Sequence, residues 1–161
     1  KKYNIDPAKV GIMGFSAGGH LAGSASTIAA DEDKPNFSIL FYPVITGTTW
    51  ETHQNTFEYL LGKHRTHKQQ EYYSLENRVT ETTPPTILLL SDDDLTVPTI
   101  SSVLYYEALR ATGVSATMRI YPSGGHGWCG HEEFKYDKEY KAALKDWLEI
   151  QNKAAKQEKT K

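Results

Sequence analysis

The chain contains one cysteine, Cys129, among 161 residues, so it cannot form an internal disulfide. Nothing in it approaches 18 consecutive apolar residues, and the sequence therefore predicts no membrane-spanning helix. Lysine and arginine total 18 against 20 acidic residues, which gives a formal net charge of −2. Without a basic excess or a long basic block, there is no electrostatic attraction for nucleic acid or for an anionic membrane. We expect one ordinary globular domain with neither of these as a partner.

The most informative segment is Gly14-Phe15-Ser16-Ala17-Gly18, between a short apolar run and a stretch rich in small residues. A serine hydroxyl is a poor nucleophile unless a base lies beside it, and a sharp, exposed turn presents it well. Glycines two residues before and after Ser16 permit such a turn, where we expect a Cβ to clash. The segment predicts a nucleophile elbow. The alternatives are a solvated serine in a glycine-rich turn and a dinucleotide-type loop.

Ala17 opens the helix that the small-residue stretch predicts. A backbone N–H at a helix N-terminus is unbonded within the helix and lies at the positive end of its dipole. Such a group can stabilise the negative oxygen that forms during acyl transfer. We therefore predict that the N–H of Ala17 is an oxyanion donor.

Apolar strand-like runs alternate with helical patterns along the rest of the chain. Strands are predicted at residues 10–15, 37–44, 87–90 and 116–121, and helices at residues 16–30, 99–111 and 132–152, followed by a charged, solvated tail at 153–161. This alternation predicts an α/β fold with a parallel sheet and helices on both faces.

Polar residues follow the third and fourth predicted strands. Asp92, Asp93 and Asp94 come after the third, and His126 follows the fourth within a glycine-flanked loop. Because catalytic groups gather beyond the carboxyl ends of parallel strands, Ser16, one of the aspartates and His126 should meet at one sheet edge. His131 is a rival base. His20, one helical turn after Ser16, is expected to have a structural role.

The segment from residue 46 to residue 83 interrupts the alternation and is expected to form a cap or lid. It carries Trp50, which could pack within the protein or contact substrate, and its place in this segment favours substrate contact. It also carries His53, His64 and His67, but these lack cysteine or carboxylate partners at metal-ligand spacings. A solvated helical excursion is therefore expected rather than a metal site.

Three segments together resemble the α/β-hydrolase superfamily, in particular its carbohydrate esterase branch, which includes acetyl xylan esterase-like proteins. They read GIMGFSAGGHLA, YSLENRVTETTPPTILLLSDDDLTVP and YPSGGHGW, and they carry serine, acid and histidine in the order of that superfamily's triad. In the related pattern the acid stands three residues before a Val-Pro pair, which selects Asp94. The resemblance implies a serine esterase acting on acetyl or feruloyl groups of plant polysaccharides or oligosaccharides, without a metal or organic cofactor.

The resemblance also implies strands before the elbow and a loop that supplies a second oxyanion donor, neither of which precedes residue 10 here. The chain is therefore expected to be the C-terminal part of a larger hydrolase. The strand at residues 10–15 would then be an exposed apolar edge, through which the chain could form a homo-oligomer.

Other functions remain open. A serine peptidase of the prolyl oligopeptidase type shares this catalytic half, and a non-enzymatic assembly module could retain it. A glycosidase is disfavoured because glycoside hydrolysis needs two carboxylates across a cleft. Trp128 could stack on a sugar ring or pack against the sheet edge.

Overall fold

The computed structural model describes residues 3–49 and 52–158, and its centre is one parallel four-stranded sheet. The strands are β1 (Ile12–Phe15), β2 (Ser38–Phe41), β3 (Thr86–Ser91) and β4 (Ala116–Tyr121), in that spatial order. Every residue of β2 and β3 is buried, as continuous apolar strands between helices must be. The predicted fold class is confirmed, although β1 and β2 are shorter than predicted.

Five α-helices surround the sheet in the described part of the chain. They are α1 (Ala17–Thr27), α2 (Gln54–Leu61), α3 (His67–Tyr72), α4 (Ile100–Ala111) and α5 (Asp137–Glu158). Consecutive residues of β2 illustrate the two faces of the sheet. Leu40 approaches α1 at Gly23, whereas the ring of Phe41 lies 5.8 Å from that of Tyr140 in α5.

The last helix differs from the prediction at both ends. Residues 131–136 form turns, so Phe134 is buried from a loop rather than from a helix. At the other end the helix continues to Glu158, across most of the predicted solvated tail. Lysine, alanine, glutamine and glutamate are all good helix formers, which explains the extension.

The segment at residues 46–83 contains α2, α3 and a 3₁₀ turn at Leu75–Arg78. Phe57 of α2 packs with Val44 and Val97 in a small second apolar cluster. The segment is therefore anchored to the loops that follow β2 and β3. Its role as a lid over substrate remains a prediction.

The edge strand β1 exposes apolar side chains, with Met13 46% and Phe15 41% exposed. That exposure agrees with the predicted apolar edge, while association through it remains a prediction. Within the residues described, no helix combines the length and apolarity that crossing a membrane requires.

Candidate active site

Ser16 occupies a strained turn between β1 and α1. Its φ is +53° and its ψ −122°, a conformation that residues with a side chain rarely adopt. The surrounding backbone holds it there, because its N–H donates to Phe41 O at 3.0 Å and its carbonyl accepts from Val44 N at 3.1 Å. The end of β2 and the loop behind it therefore determine how the serine is presented.

The two glycines of the motif have different roles. A Cβ on Gly14 would lie 2.2 Å from the carbonyl oxygen of Gly18, so this position admits no side chain. A Cβ on Gly18 would have nothing within 4 Å, and the expected clash there is wrong. The second close approach occurs at Gly19, where a Cβ would lie 2.7 Å from Cβ of Pro43. Helix α1 approaches the loop after β2 at this point rather than at Gly18.

Ala17 is the first residue of α1. Its N–H therefore belongs to the first turn, whose N–H groups have no partner within the helix. It directly follows Ser16, at the positive end of the helix dipole. This location is compatible with the predicted oxyanion donor, a role that remains a prediction.

His126 lies between Ser16 and Asp94. Its Nε2 is 2.7 Å from Ser16 Oγ, and its Nδ1 is 2.6 Å from Asp94 Oδ2. Asp94 is buried, and its other oxygen, Oδ1, accepts from the backbone N–H groups of Thr96 and Val97, each at 2.9 Å. The structure thus brings together the serine, the histidine and one of the three adjacent aspartates.

The rival acids and the rival base lie elsewhere. Asp92 and Asp93 are exposed, and Asp93 accepts from the backbone of Gly124 and Gly125. His131 is exposed on the wall of an open cavity of about 440 Å³ that also borders His126. Among the described histidines, only His126 forms a side-chain hydrogen bond with Ser16.

Tyr42, a residue that the sequence did not single out, packs against the imidazole. The two ring centroids are 4.8 Å apart with an interplanar angle of 62°. Tyr42 has a φ of +34°, and its hydroxyl accepts from Cys129 N at 3.3 Å. Burial raises the pKa of this hydroxyl, so it is neutral at ordinary pH. Its position directly after β2, beside the strand that leads to Ser16, was the available signal.

His20 links the elbow helix to the loop after β2. Its Nδ1 is 3.1 Å from the carbonyl oxygen of Val44, and its ring meets that of Phe57 edge-on at 5.3 Å. Burial lowers the pKa of His20, which favours the neutral ring. Because the Val44 carbonyl oxygen can only accept, the single ring proton lies on Nδ1 and is donated to it. These contacts agree with the structural role expected for it.

Trp128 is 4% exposed, and its ring stacks on Phe134 with centroids 4.1 Å apart. Tyr42 and Tyr121 pack against it edge-on. Aromatic neighbours occupy the surface that a sugar would need, so the geometry favours packing over substrate stacking. Trp50 lies outside the described residues.

The histidines of the segment at residues 46–83 are dispersed. His53 Nδ1 is 2.8 Å from Thr56 Oγ1, His67 Nδ1 is 3.5 Å from Glu71 Oε2, and His64 is exposed. In the ranges 3–49 and 52–158, no three histidine, cysteine or carboxylate side chains are close enough together to hold a metal ion.

Comparisons with known proteins give relatives that share most of this chain. It is 42% identical over 152 residues to an acetylxylan esterase of Xylanibacter ruminicola, covering 92% of this chain and 32% of that protein. It is 38% identical over 137 residues to endo-1,4-beta-xylanase B of Butyrivibrio fibrisolvens, covering 78% and 21% respectively. The chain thus spans a third or less of these two curated relatives.

A crystal structure of an acetyl ester-xyloside bifunctional hydrolase from Caldicellulosiruptor lactoaceticus has a similar fold. The TM-score is 0.85 at 34% identity, over 92% of this chain and 59% of that one. The model of the prolyl oligopeptidase family, a family of peptidases with the α/β-hydrolase fold, matches residues 1–154. The chain belongs to the prolyl oligopeptidase family.

Proposed function

We propose that this chain carries the catalytic groups of a serine esterase that removes acyl groups from carbohydrates. Ser16 is the nucleophile, His126 the general base and acid, and Asp94 the residue that orients the histidine. The N–H of Ala17 is one oxyanion donor. No metal or organic cofactor takes part in the proposed chemistry.

One observation carries the proposal, namely the continuous hydrogen-bonded path from Ser16 through His126 to Asp94. Its two distances, 2.7 Å and 2.6 Å, are within the range that proton transfer in such a triad requires. A chance contact between a surface serine and a histidine would not need a strained serine backbone or a buried carboxylate. Here Ser16 has positive φ and Asp94 is 5% exposed.

In the proposed mechanism, the hydrogen bond from His126 to Asp94 determines which ring nitrogen of the histidine carries the proton. Asp94 is a carboxylate acceptor, so the proton of His126 lies on Nδ1 and is donated to Oδ2. Nε2 is then unprotonated and accepts the proton of the Ser16 hydroxyl. As that proton moves to Nε2, Oγ attacks the ester carbonyl and His126 becomes an imidazolium that the Asp94 carboxylate stabilises.

The first half-reaction ends when the tetrahedral intermediate collapses. The bond between the carbonyl carbon and the alcohol oxygen breaks, and His126 Nε2–H gives its proton to that oxygen. The acyl group remains on Ser16 until water attacks it, with Nε2 as base. The bond between the carbonyl carbon and Oγ then breaks, Nε2–H returns its proton to Oγ, and the free acid leaves. The negative oxygen formed in each half-reaction would be stabilised by Ala17 N–H, a kind of contact worth about 10²- to 10³-fold in rate.

The substrate class rests on the relatives. The acetylxylan esterase is 42% identical to this chain, and the structural neighbour is described as an acetyl ester-xyloside hydrolase. The triad itself does not select an ester over an amide, because His126 delivers one proton to either leaving group. An acyl group on a xylan or xylooligosaccharide, acetyl or feruloyl, is therefore the proposed substrate.

A serine peptidase is the second candidate, and the match to the prolyl oligopeptidase family favours it. The same three residues would perform the same acyl transfer on a peptide. The two candidates separate on substrate. Acetate release from acetylated xylan, ferulate release from a feruloylated oligosaccharide and amine release from a prolyl p-nitroanilide should be compared at equal enzyme concentration. Faster turnover of the peptide substrate would replace the esterase proposal.

A fluorophosphonate probe tests whether Ser16 is an activated nucleophile at all. We expect stoichiometric labelling, abolished in Ser16→Ala and retained in the matched control Ser123→Ala, whose serine lies near His126 on the cavity wall. Folding of each variant is checked by circular dichroism. A folded protein without labelling, or labelling that survives Ser16→Ala, would refute the catalytic roles and favour an assembly module.

A further inference from the structure

The loop that carries His126 is rich in glycine, the residue that allows the most backbone conformations. Gly124, Gly125, Gly127 and Gly130 all have positive φ, between +60° and +147°. Such a sequence does not by itself hold an imidazole in one place, because glycine has the largest conformational freedom of any residue. The position of His126 must therefore come from contacts between its loop and the rest of the protein.

Asp93 makes the polar contacts on the N-terminal side of His126. Its Oδ1 accepts from Gly125 N at 2.8 Å and its Oδ2 from Gly124 N at 3.2 Å. Both carboxylate oxygens therefore accept hydrogen bonds from the backbone N–H groups of the two residues that precede the histidine. The backbone N–H groups of Gly125 and Gly124 keep the pKa of Asp93 below its ordinary value, so the acceptor is charged near neutral pH.

The loop also packs tightly where Asp93 holds it. A Cβ on Gly124 would lie 2.4 Å from the ring of Phe134 and 2.8 Å from Ser91 Oγ. On the other side of His126, the hydroxyl of Tyr42 accepts from Cys129 N at 3.3 Å. The histidine is thus held between two anchors, one from the end of β3 and one from the end of β2.

We propose that Asp93 is a positioning residue that holds the loop of His126 so that the imidazole reaches both Ser16 and Asp94. The inference rests on the proposed function and adds a role for one of the two adjacent aspartates that the triad does not use. Adjacent aspartates thereby act on the same histidine in different ways. Asp94 bonds its ring directly, whereas Asp93 acts through the backbone of Gly124 and Gly125.

The geometry explains why such an anchor matters to the rate. His126 spans two short contacts, 2.7 Å to Ser16 Oγ and 2.6 Å to Asp94 Oδ2. A loop displacement of about 1 Å would break one of them, and a misplacement of that size can cost about 10²-fold in rate. A carboxylate with two backbone N–H donors resists that displacement in two directions.

The test compares Asp93→Ala with Asp92→Ala. Asp92 carries the same charge one position earlier, and within the described ranges its side chain makes no hydrogen bond or ion pair. We expect Asp93→Ala to lower kcat on p-nitrophenyl acetate by roughly 10- to 100-fold with little change in KM. Asp93→Asn, whose amide oxygen can still accept one N–H, should fall between Asp93→Ala and wild type. Asp92→Ala should remain within about 2-fold of wild type.

A second readout does not depend on turnover. The proton between His126 Nδ1 and Asp94 Oδ2 should give a far-downfield proton resonance in wild type and in Asp92→Ala. In Asp93→Ala we expect it to broaden or disappear while the circular dichroism spectrum is unchanged. Equal kcat in Asp93→Ala and Asp92→Ala, or an unchanged resonance in Asp93→Ala, would overturn the inference.

Failure of this inference can be told apart from failure of the proposed function. If wild type labels with the fluorophosphonate at Ser16 and the two aspartate variants behave alike, the triad stands and Asp93 has no positioning role. If wild type neither labels nor turns over ester, the proposed function fails first. The resonance still reports whether Asp93 holds the histidine.

Discussion

Replacing Asp94 with asparagine should invert the tautomer of His126. In the native structure Oδ1 accepts from the N–H groups of Thr96 and Val97, each at 2.9 Å, and Oδ2 faces His126 Nδ1 at 2.6 Å. An asparagine amide has only one oxygen, and the two backbone donors claim it. Its NH₂ group is then directed at Nδ1, which must become the acceptor. The imidazole proton moves to Nε2, where it can no longer accept from Ser16.

The size of the effect follows from those contacts. Turning the amide around, so that its oxygen meets Nδ1, forfeits two backbone hydrogen bonds worth about 1 kcal/mol each. The active orientation is therefore disfavoured by about 2 kcal/mol. It also lacks the negative charge that stabilises the imidazolium, which costs roughly another 2–3 kcal/mol. The sum of about 4–5 kcal/mol corresponds to a loss of roughly 10³- to 10⁴-fold in kcat.

Two measurements check this prediction. Steady-state hydrolysis of p-nitrophenyl acetate gives kcat, and ¹⁵N shifts of labelled histidine identify the protonated ring nitrogen. We expect Nδ1–H in wild type and Nε2–H in Asp94→Asn. An Asp94→Asn variant that keeps Nδ1–H, or that loses less than about 10-fold in kcat, would refute the reasoning.

Three further predictions concern stability. Gly14→Ala should lower the free energy of unfolding by about 3 kcal/mol, because its Cβ would lie 2.2 Å from the oxygen of Gly18. Gly18→Ala should instead stabilise α1 by about 0.5–1 kcal/mol, because a Cβ there meets nothing within 4 Å. Equal effects of the two variants in urea unfolding would contradict this asymmetry. Burial lowers the pKa of His20 below its ordinary 6.5, so the unfolded chain takes up the proton first and stability should fall as the pH drops below about 6.5. In His20→Asn, whose amide can still donate to Val44 O, the loss of stability due to His20 should disappear; that loss is at most about 1.4 kcal/mol per pH unit. An unchanged dependence of stability on pH in the variant would contradict this prediction. Tyr105 is fully buried and its hydroxyl has no hydrogen-bond partner among the described residues, so Tyr105→Phe should stabilise by about 1 kcal/mol, and a loss of stability would show that the hydroxyl is satisfied.

The sheet was predictable because its strands are short apolar runs bounded by turn residues. All four strands were predicted from the sequence, and β4 was predicted with the bounds that it has. Helix ends were harder to predict from the sequence, since they depend on local capping and on which neighbouring turns form. The region before α5 shows this, because residues 131–136 form turns that bury Phe134 rather than the first turns of the helix.

Among the candidate site residues, the serine, acid and histidine were easier to predict from the sequence than the role of Trp128. Ser16, Asp94 and His126 each follow a strand, and parallel register brings strand ends together even across 110 positions of sequence. Trp128 was ambiguous because an aromatic residue beside a glycine loop fits a sugar platform as well as a core. Only the rings around it, which come from β2, β4 and the turn before α5, resolve that ambiguity.

The contacts of Tyr42 and Asp93 could not have been predicted from local sequence, because they are made by backbone groups of a distant loop. Tyr42 accepts from Cys129, 87 positions away, and Asp93 accepts from Gly125, 32 positions away. Both residues nevertheless stand directly beyond strands that flank the elbow or the acid. In a parallel sheet, the first residues after each strand face the same edge, whatever loop they later contact. Polar or aromatic residues at those positions are therefore candidates for orienting a catalytic loop, even when they take no part in the bond-making and proton-transfer steps.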